Sequence, residues 1–309
     1  MDICGEIILV PNCNPIGTNI KAGEHTLGRF DPVNGTNWNR GYFFDKEAVE
    51  HFAKTVTREE SIEGIKQRFR AHLSNAIDNK LAEPWGLGLA QQLNLKLQQM
   101  AVNADFVLDL HNGPVSTRHV YIPEYAKDSA KLFNIPHCIF IPNVFAGALD
   151  EATFCPWWTL QESIKTNLAR EVSFNVEAFT LEMGSQEVID FNEGNIDATS
   201  ILSYLNAKGV LHECDIKPTE MKRLGVYLKD YKTLFTNWGG MVEYMAKPGQ
   251  TVKKGEPLAQ ILNIDDLDTD NGSRTLEAPC DLIPILHFPS ASVLSGTQLY
   301  KVFTNYKEL

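Results

Sequence analysis

The sequence lacks the features that mark secreted, membrane-spanning or repeat proteins. Its 309 residues contain no apolar stretch near the roughly 20 residues that span a bilayer. No basic segment followed by an apolar run opens the chain, so no secretory signal is predicted. The six cysteines include no C-x-x-C pair, which argues against a disulfide framework and favours reduced thiols in a cytoplasmic protein.

Positive charge is also scarce. The chain carries 28 Lys and Arg against 39 Asp and Glu, for a formal net charge of -11 at pH 7. This balance argues against nucleic acid and against an anionic membrane surface as the main partner. An anionic small molecule would need a local cationic pocket. A hydrophobic content of 43% is enough for a sizeable core.

Strands alternate with helices through residues 1–222. This pattern predicts an α/β domain with a mixed, largely parallel sheet flanked by helices. The first predicted strand is EIILV at 6–10, which we expect to be buried because it is almost wholly apolar. Further strands are predicted at 105–111, 138–142 and 175–184, and helices within 45–82, 86–104, 158–170 and 195–208.

Short strands and turns replace this pattern in residues 223–309. They predict a small all-β domain that resembles lipoyl and biotinyl domains. A carrier domain of that kind needs a lysine at its hairpin tip, and the corresponding stretch, 263–272, has none. We therefore expect the domain to shape the mouth of a cleft or a contact in a homo-oligomer.

Five ordered segments resemble the succinylglutamate desuccinylase/aspartoacylase family, which is related to the zinc carboxypeptidases. The resemblance spans nearly the whole chain. It implies a metallocarboxypeptidase-like fold and a zinc-dependent hydrolase that cleaves the amide bond of an N-acyl amino acid or a similar small amide. The segments are VPNCNPIG (10–17), GRF with NWNRGYF (28–43), DFVLDLHNGP (105–114), FTLEMGS (179–185) and the stretch from GGMVEYM to CDLI (239–283).

His111 is the candidate metal ligand. It ends a predicted strand, and the carboxyl ends of parallel strands line the crevice where α/β enzymes bind ligands. The alternative is a histidine of the core or of a turn. The resemblance implies that His111 binds zinc, with Asp109 orienting it from behind.

Glu182 is the candidate general base. It stands at the end of an apolar strand, where a carboxylate is costly unless it is paired or functional. Glu177 is a competitor on the same strand, but only Glu182 matches the family motif. The resemblance implies that Glu182 takes a proton from water and delivers it to the departing amine.

Arg29, Asn39 and Arg40 supply cationic and amide groups near one loop. Surface charge is the simpler interpretation of any one arginine. The resemblance implies that Arg29 stabilises an oxyanion, and that Asn39 and Arg40 bind a substrate carboxylate. The family's usual D-L-N-R is here N-W-N-R at 37–40, which keeps the amide and the guanidinium.

The family's G-x-H-x-x-E loop is missing. None of the eight histidines is followed three residues later by Glu, and the nearest imitation, His212 with Asp215, lies in the wrong order. A catalytic zinc needs three protein ligands. We therefore expect an N-terminally truncated family pattern, an incomplete zinc site with His111 alone, and weak zinc binding by this chain.

The alternative function is a non-catalytic homologue that binds a small carboxylate or a partner without zinc. Three other features are interpreted as structural. His119 could line the pocket, but we expect a satisfied structural histidine. Trp157 and Trp158 could wall the substrate cleft, but we expect them to pack. Cysteine nucleophile chemistry is disfavoured because no cysteine has a triad context.

Overall fold

The computed structural model describes residues 2–23, 25, 26, 28–269 and 272–309, and divides the chain into two compact units. The sheet unit comprises residues up to 6, 110–142 and 180–309. The helical unit comprises 7–109 and 143–179. The predicted domains, 1–222 and 223–309, do not coincide with these compact units. The domain boundary at residue 222 remains a prediction.

The described residues form five α-helices. They are α1 (Lys46–Ala53), α2 (Ile62–Leu81), α3 (Leu89–Ala101), α4 (Leu149–Leu168) and α5 (Phe191–Ala207).

Eighteen strands are described. They are β1 (Asp2–Ile3), β2 (Lys21–Ala22), β3 (His25–Thr26), β4 (Phe106–Gly113), β5 (Val115–Ser116), β6 (His119–Pro123), β7 (His137–Ile141), β8 (Glu177–Ser185), β9 (Leu211–His212), β10 (Leu224–Tyr227), β11 (Tyr231–Phe235), β12 (Gly240–Tyr244), β13 (Pro257–Leu262), β14 (Ser273–Glu277), β15 (Ile283–His287), β16 (Ser292–Val293), β17 (Gln298–Phe303) and β18 (Lys307–Glu308).

Side-chain caps fix where the helices begin. The Asp45 carboxylate accepts a hydrogen bond from Ala48 N at the start of α1, and Ser61 Oγ accepts one from Gly64 N at the start of α2. The predicted helical stretch 45–82 is therefore two helices, because the second cap interrupts it. Asp190 caps α5 in the same way.

The core of the helical unit lies where α1, α2 and α4 pack together. Trp157 is buried there, with its ring edge-on to Phe69 at 4.9 Å between centroids. The packing role expected for Trp157 is confirmed.

The central sheet has the strand order β18-β10-β7-β6-β8-β4. β7 pairs in parallel with β10 and with β6, whereas β6–β8 and β10–β18 are antiparallel. The predicted mixed sheet is confirmed, but its described pairings divide equally between the two kinds. The parallel share is smaller than expected because β8 runs against β6 and the last strand returns to the sheet edge.

Two four-stranded antiparallel sheets follow in the C-terminal part, in the orders β11-β17-β15-β5 and β14-β13-β12-β16. Their core includes Leu258, Ile261 and Leu282. Gly249 and Gly255 have positive φ, a backbone conformation that glycine adopts readily at turns. The short strand β5 comes from the earlier part of the chain. The likeness to lipoyl domains remains a prediction.

The prediction of a buried strand at 6–10 is wrong. These residues are outside any described strand, and their apolar side chains are exposed, Ile8 by 61% and Leu9 by 74%. No described strand pairs with this segment, and residues 6–10 are all exposed.

None of the described helices is both long and apolar enough to cross a membrane. All six cysteines are free thiols.

Candidate functional site

Strands β6 and β8 place His119 directly opposite Glu182, and Tyr121 opposite Thr180. Directly opposed residues of an antiparallel pair project from the same face of the sheet, about 4.5–5.5 Å apart at Cβ. The sheet unit therefore carries a cluster of polar side chains around Glu182 on one face.

Glu182 contributes a buried carboxylate oxygen. Its Oε2 atom is shielded from solvent and has no hydrogen-bond partner among the described atoms. Buried polar atoms are normally paired, and an unpaired one carries a free-energy penalty. Glu182 lies three residues before the end of β8 rather than at it, and its unpaired oxygen makes this a costly position. Its role as a base remains a prediction.

His119 is fully buried, with an exposed fraction of 0%. Its Nδ1 lies 3.0 Å from the Thr117 carbonyl oxygen, whereas its Nε2 has no hydrogen-bond partner in the described structure. Burial lowers the pKa of His119, and the nearby Lys301 lowers it further, against the opposing effects of Glu182 and the Thr117 bond. The expectation of a satisfied histidine is wrong for one of its two nitrogens.

Two tyrosines complete the cluster. The ring of Tyr121 lies 5.6 Å from that of His119, and the ring of Tyr231 lies 6.3 Å from both. Burial raises the pKa of Tyr231 well above its usual range, and interactions with Tyr121 and Glu182 add to this. Lys301 Nζ lies 5.1 Å from the Tyr231 ring centroid. Sequence reasoning missed both tyrosines, since Tyr231 comes from a distant strand.

His111 lies on β4, the strand next to β8 in the sheet, and is half-buried. Both His111 and Glu182 belong to the sheet unit. Asp109, by contrast, is the last residue of its segment of the helical unit. There its charge raises the pKa values of Cys13 and Tyr42, in each case after burial as the larger cause. The proposed orienting role of Asp109 remains a prediction.

The helical unit holds the other predicted residues on one loop, residues 28–41, called here the 28–41 loop. A bridge between Phe30 and Asn37 closes the loop, and Trp38 N donates to the Arg29 carbonyl oxygen at 3.3 Å. This backbone pairing brings Arg29 to the same end of the loop as Asn39 and Arg40. The side chains of both arginines are exposed.

Hydrogen bonds from α3 and α4 hold the C-terminal end of this loop and the residues that follow it. Asn39 Oδ1 accepts a hydrogen bond from Leu149 N at the start of α4, at 3.2 Å. The Arg40 carbonyl oxygen accepts one from Asn94 Nδ2 at 2.9 Å. Gln98, one helical turn later, bonds both the N–H and the carbonyl oxygen of Phe43. The backbone carrying Asn39 and Arg40 is therefore rigidly held.

Sequence reasoning missed Asn94 and Gln98. Both are almost fully buried, at 3% and 4% exposure. The available signal was their i, i+4 spacing, which puts two amides on the buried face of α3, where the other buried residues are Ala90, Leu95 and Ala101.

Gly17 and Gly28 bring the 28–41 loop into contact with the NPIG motif at 14–17. A side chain at Gly17 would lie 2.7 Å from the Gly28 carbonyl oxygen, and one at Gly28 would overlap the backbone of Gly17. Asn14 Oδ1 also accepts a hydrogen bond from Gly17 N at 2.8 Å. The NPIG and GRF motifs of the sequence are thus in direct backbone contact.

Comparison with known proteins identifies the family. The catalytic-domain model of the succinylglutamate desuccinylase/aspartoacylase family matches residues 1–207. The chain belongs to this family.

Solved structures of family proteins from two Shewanella species resemble it over most of its length. The protein from Shewanella frigidimarina has 45% identity and a TM-score of 0.90, covering 96% of this chain and 79% of its own. That from Shewanella amazonensis has 44% identity and a TM-score of 0.90, covering 96% and 81%. The product-bound ectoine utilisation protein EutE (DoeB) from Ruegeria pomeroyi shares the fold, with 15% identity, a TM-score of 0.57, and coverage of 90% and 70%. No curated protein matches the chain.

Within this desuccinylase/aspartoacylase chain, the described residues do not fit a complete zinc site. Across residues 2–23, 28–269 and 272–309, no three side chains of His, Cys, Asp or Glu are grouped so that they could hold a metal ion. His111 is the single predicted ligand. A catalytic zinc takes three protein ligands, and the described residues do not complete such a set.

Proposed function

We propose that this chain has the deacylase chemistry of its family: zinc-dependent hydrolysis of the amide bond of an N-acyl amino acid or a similar small amide. Family membership supports the class of hydrolase. The observation that carries the proposal is the buried, unpaired Oε2 of Glu182 in a motif that matches the family's. A carboxylate kept in that state is suited to receive a proton.

Glu182 is proposed as the general base. Amide hydrolysis requires a proton to leave the attacking water and to reach the departing amine nitrogen. A carboxylate performs both transfers in turn, accepting the proton as the water oxygen bonds to the carbonyl carbon and releasing it as the C–N bond breaks. Glu177 lies five residues earlier on the same strand and does not face His119 in the register.

Arg29, Asn39 and Arg40 are proposed to act on the substrate's charges. A planar guanidinium matches both an oxyanion and a carboxylate, so Arg29 is assigned to the oxyanion and Arg40 to the carboxylate of the amino acid. Asn39 already accepts the Leu149 N–H through its oxygen. Its NH₂ group is the part of the amide that suits a carboxylate.

Zinc is proposed as the cofactor, with His111 as its ligand in this chain. Zinc would supply a polarising charge at the scissile carbonyl and at the attacking water. The competing function is a non-catalytic homologue that binds a small carboxylate without zinc, and the incomplete ligand set favours it.

Release of primary amine from a panel of N-acyl amino acids tests the proposal. The panel contains N-acetyl-aspartate and N-succinyl-glutamate, assayed with added zinc and with a chelator, and calorimetry measures binding of the same compounds. Zinc-dependent amine release supports the deacylase. Binding of the acylated amino acids without release, unchanged by zinc, would instead establish the non-catalytic function.

A further inference from the structure

His119 and Glu182 stand opposite one another on β6 and β8, and each has one buried polar atom without a hydrogen-bond partner in the described structure. The two residues are direct partners in the strand register. His119 Nε2 and Glu182 Oε2 are both buried, and both lack a hydrogen-bond partner in the described structure. The Tyr231 hydroxyl is a third buried atom of this cluster without a hydrogen-bond partner among the described atoms, but only His119 and Glu182 are direct partners in the strand register.

The Thr117 contact determines what His119 can do. A carbonyl oxygen only accepts hydrogen bonds, so His119 Nδ1, at 3.0 Å, must carry the hydrogen. In a neutral imidazole the other nitrogen, Nε2, is then an acceptor. Burial and Lys301 both favour this neutral form by lowering the pKa of His119.

A His119 Nε2 that accepts hydrogen bonds can pair with Glu182 only when the Glu182 carboxyl group is protonated. An ionised carboxylate has no hydrogen to donate, whereas a protonated one has an O–H group. The His119 imidazole is therefore complementary to Glu182 after it has taken a proton.

We infer that His119 is a positioning residue for Glu182: its Nε2 accepts a hydrogen bond from the protonated Glu182 carboxyl group and holds that group in place between its two proton transfers. The inference rests on the proposed role of Glu182 as base. Water's O–H bond breaks as the carboxyl O–H forms, and the water oxygen bonds to the carbonyl carbon. The O–H group donates to His119 until the C–N bond breaks and the amine nitrogen takes the proton.

The neighbouring strand offers a matched control. His137 lies beside His119 in the parallel register, is also buried, and is likewise anchored through Nδ1, at 3.2 Å from the Arg118 carbonyl oxygen. It is not opposite Glu182. A role in packing alone would make the two histidines equivalent.

Kinetics separate positioning from packing. At pH 8, His119→Asn should lower kcat about 10- to 100-fold with little change in KM, as expected when a catalytic group loses its support. His119→Gln places an amide near the former Nε2 and should recover part of that loss. His137→Gln should leave kcat within about twofold of the parent chain. Parent-like kcat in His119→Asn would overturn the inference.

Nitrogen NMR of ¹⁵N-histidine-labelled protein tests the contact without any turnover. The His119 and His137 signals are assigned by their loss in His119→Gln and His137→Gln. Glu182→Gln should shift His119 Nε2 and leave the His137 signals in place, because only His119 faces residue 182. An unchanged His119 signal would overturn the inference. If the parent chain releases no amine, the proposed function fails, and this NMR comparison alone decides whether His119 holds Glu182.

Discussion

The 28–41 loop and the Glu182 cluster differ in the exposure and the hydrogen bonding of their polar groups. In the loop, the backbone is held by hydrogen bonds from Asn94 and Gln98, and the arginine side chains remain exposed. In the cluster, the side chains are buried or half-buried, and three of their buried polar atoms, His119 Nε2, Glu182 Oε2 and the Tyr231 hydroxyl, have no partner in the described structure. Exposed charges on a fixed backbone suit binding, whereas buried and unsatisfied atoms suit proton transfer.

The largest expected effect on stability concerns His137, the buried histidine next to His119 on the neighbouring strand. Burial lowers the pKa of His137 from 6.5 to about 4, with His119 adding to the effect and the Arg118 bond opposing it. The unfolded chain therefore binds this proton at a higher pH than the folded chain does. The free energy of unfolding should fall as the pH drops from about 6.5 to about 4, by roughly 3 kcal/mol at most for this group.

Urea unfolding at a series of pH values measures this loss, with His137→Gln as the comparison. The variant should show a flatter dependence across the same pH range. An equally steep dependence in the variant would show that other groups cause it.

Replacing Gly28 should disrupt its close backbone contact with Gly17, which supports the 28–41 loop. The new Cβ in Gly28→Ala would overlap the Gly17 backbone, which cannot rotate away as a side chain can. We expect a loss of about 1–3 kcal/mol in the free energy of unfolding, measured with urea. Gly194→Ala is the control, because its Cβ meets no atom within 4 Å and alanine favours α5 by up to about 1 kcal/mol. Equal effects at the two glycines would contradict this role of the contact.

Gln98→Ala loosens the loop from α3. It removes two hydrogen bonds to Phe43 and leaves buried backbone groups unpaired, so we expect a loss of about 1–3 kcal/mol in unfolding free energy. Gln91→Ala, at an exposed position of the same helix, should change stability by less than about 0.5 kcal/mol. Similar losses in both variants would mean that Gln98 does not anchor the loop.

Arg40→Gln should change stability least of these variants while weakening substrate binding. The side chain is exposed, so stability should change by less than about 0.5 kcal/mol. Affinity for an N-acyl amino acid should nevertheless fall about tenfold or more, because a charged hydrogen bond is lost. Calorimetry measures the affinity, and an unchanged value would remove Arg40 from the carboxylate role.

Sequence reasoning found the alternation of helices and strands, the family and the motif residues, because these depend on local patterns. It failed where the outcome depended on partners distant in the chain. The segment at 6–10 has the composition of a buried strand, but burial requires a neighbouring strand that the described residues do not provide. His119 was interpreted as satisfied because nothing in RHVYI reveals that Glu182 faces it 63 residues later.

The comparison of Glu182→Gln with Glu177→Gln tests the central claim most directly. Both changes remove a carboxylate from β8 and keep its shape, but only residue 182 has a buried, unpaired oxygen opposite His119. In the amine-release assay with zinc, the account predicts a fall in kcat of about 100-fold or more for Glu182→Gln and near-parent turnover for Glu177→Gln. Parent-like turnover in Glu182→Gln would contradict it.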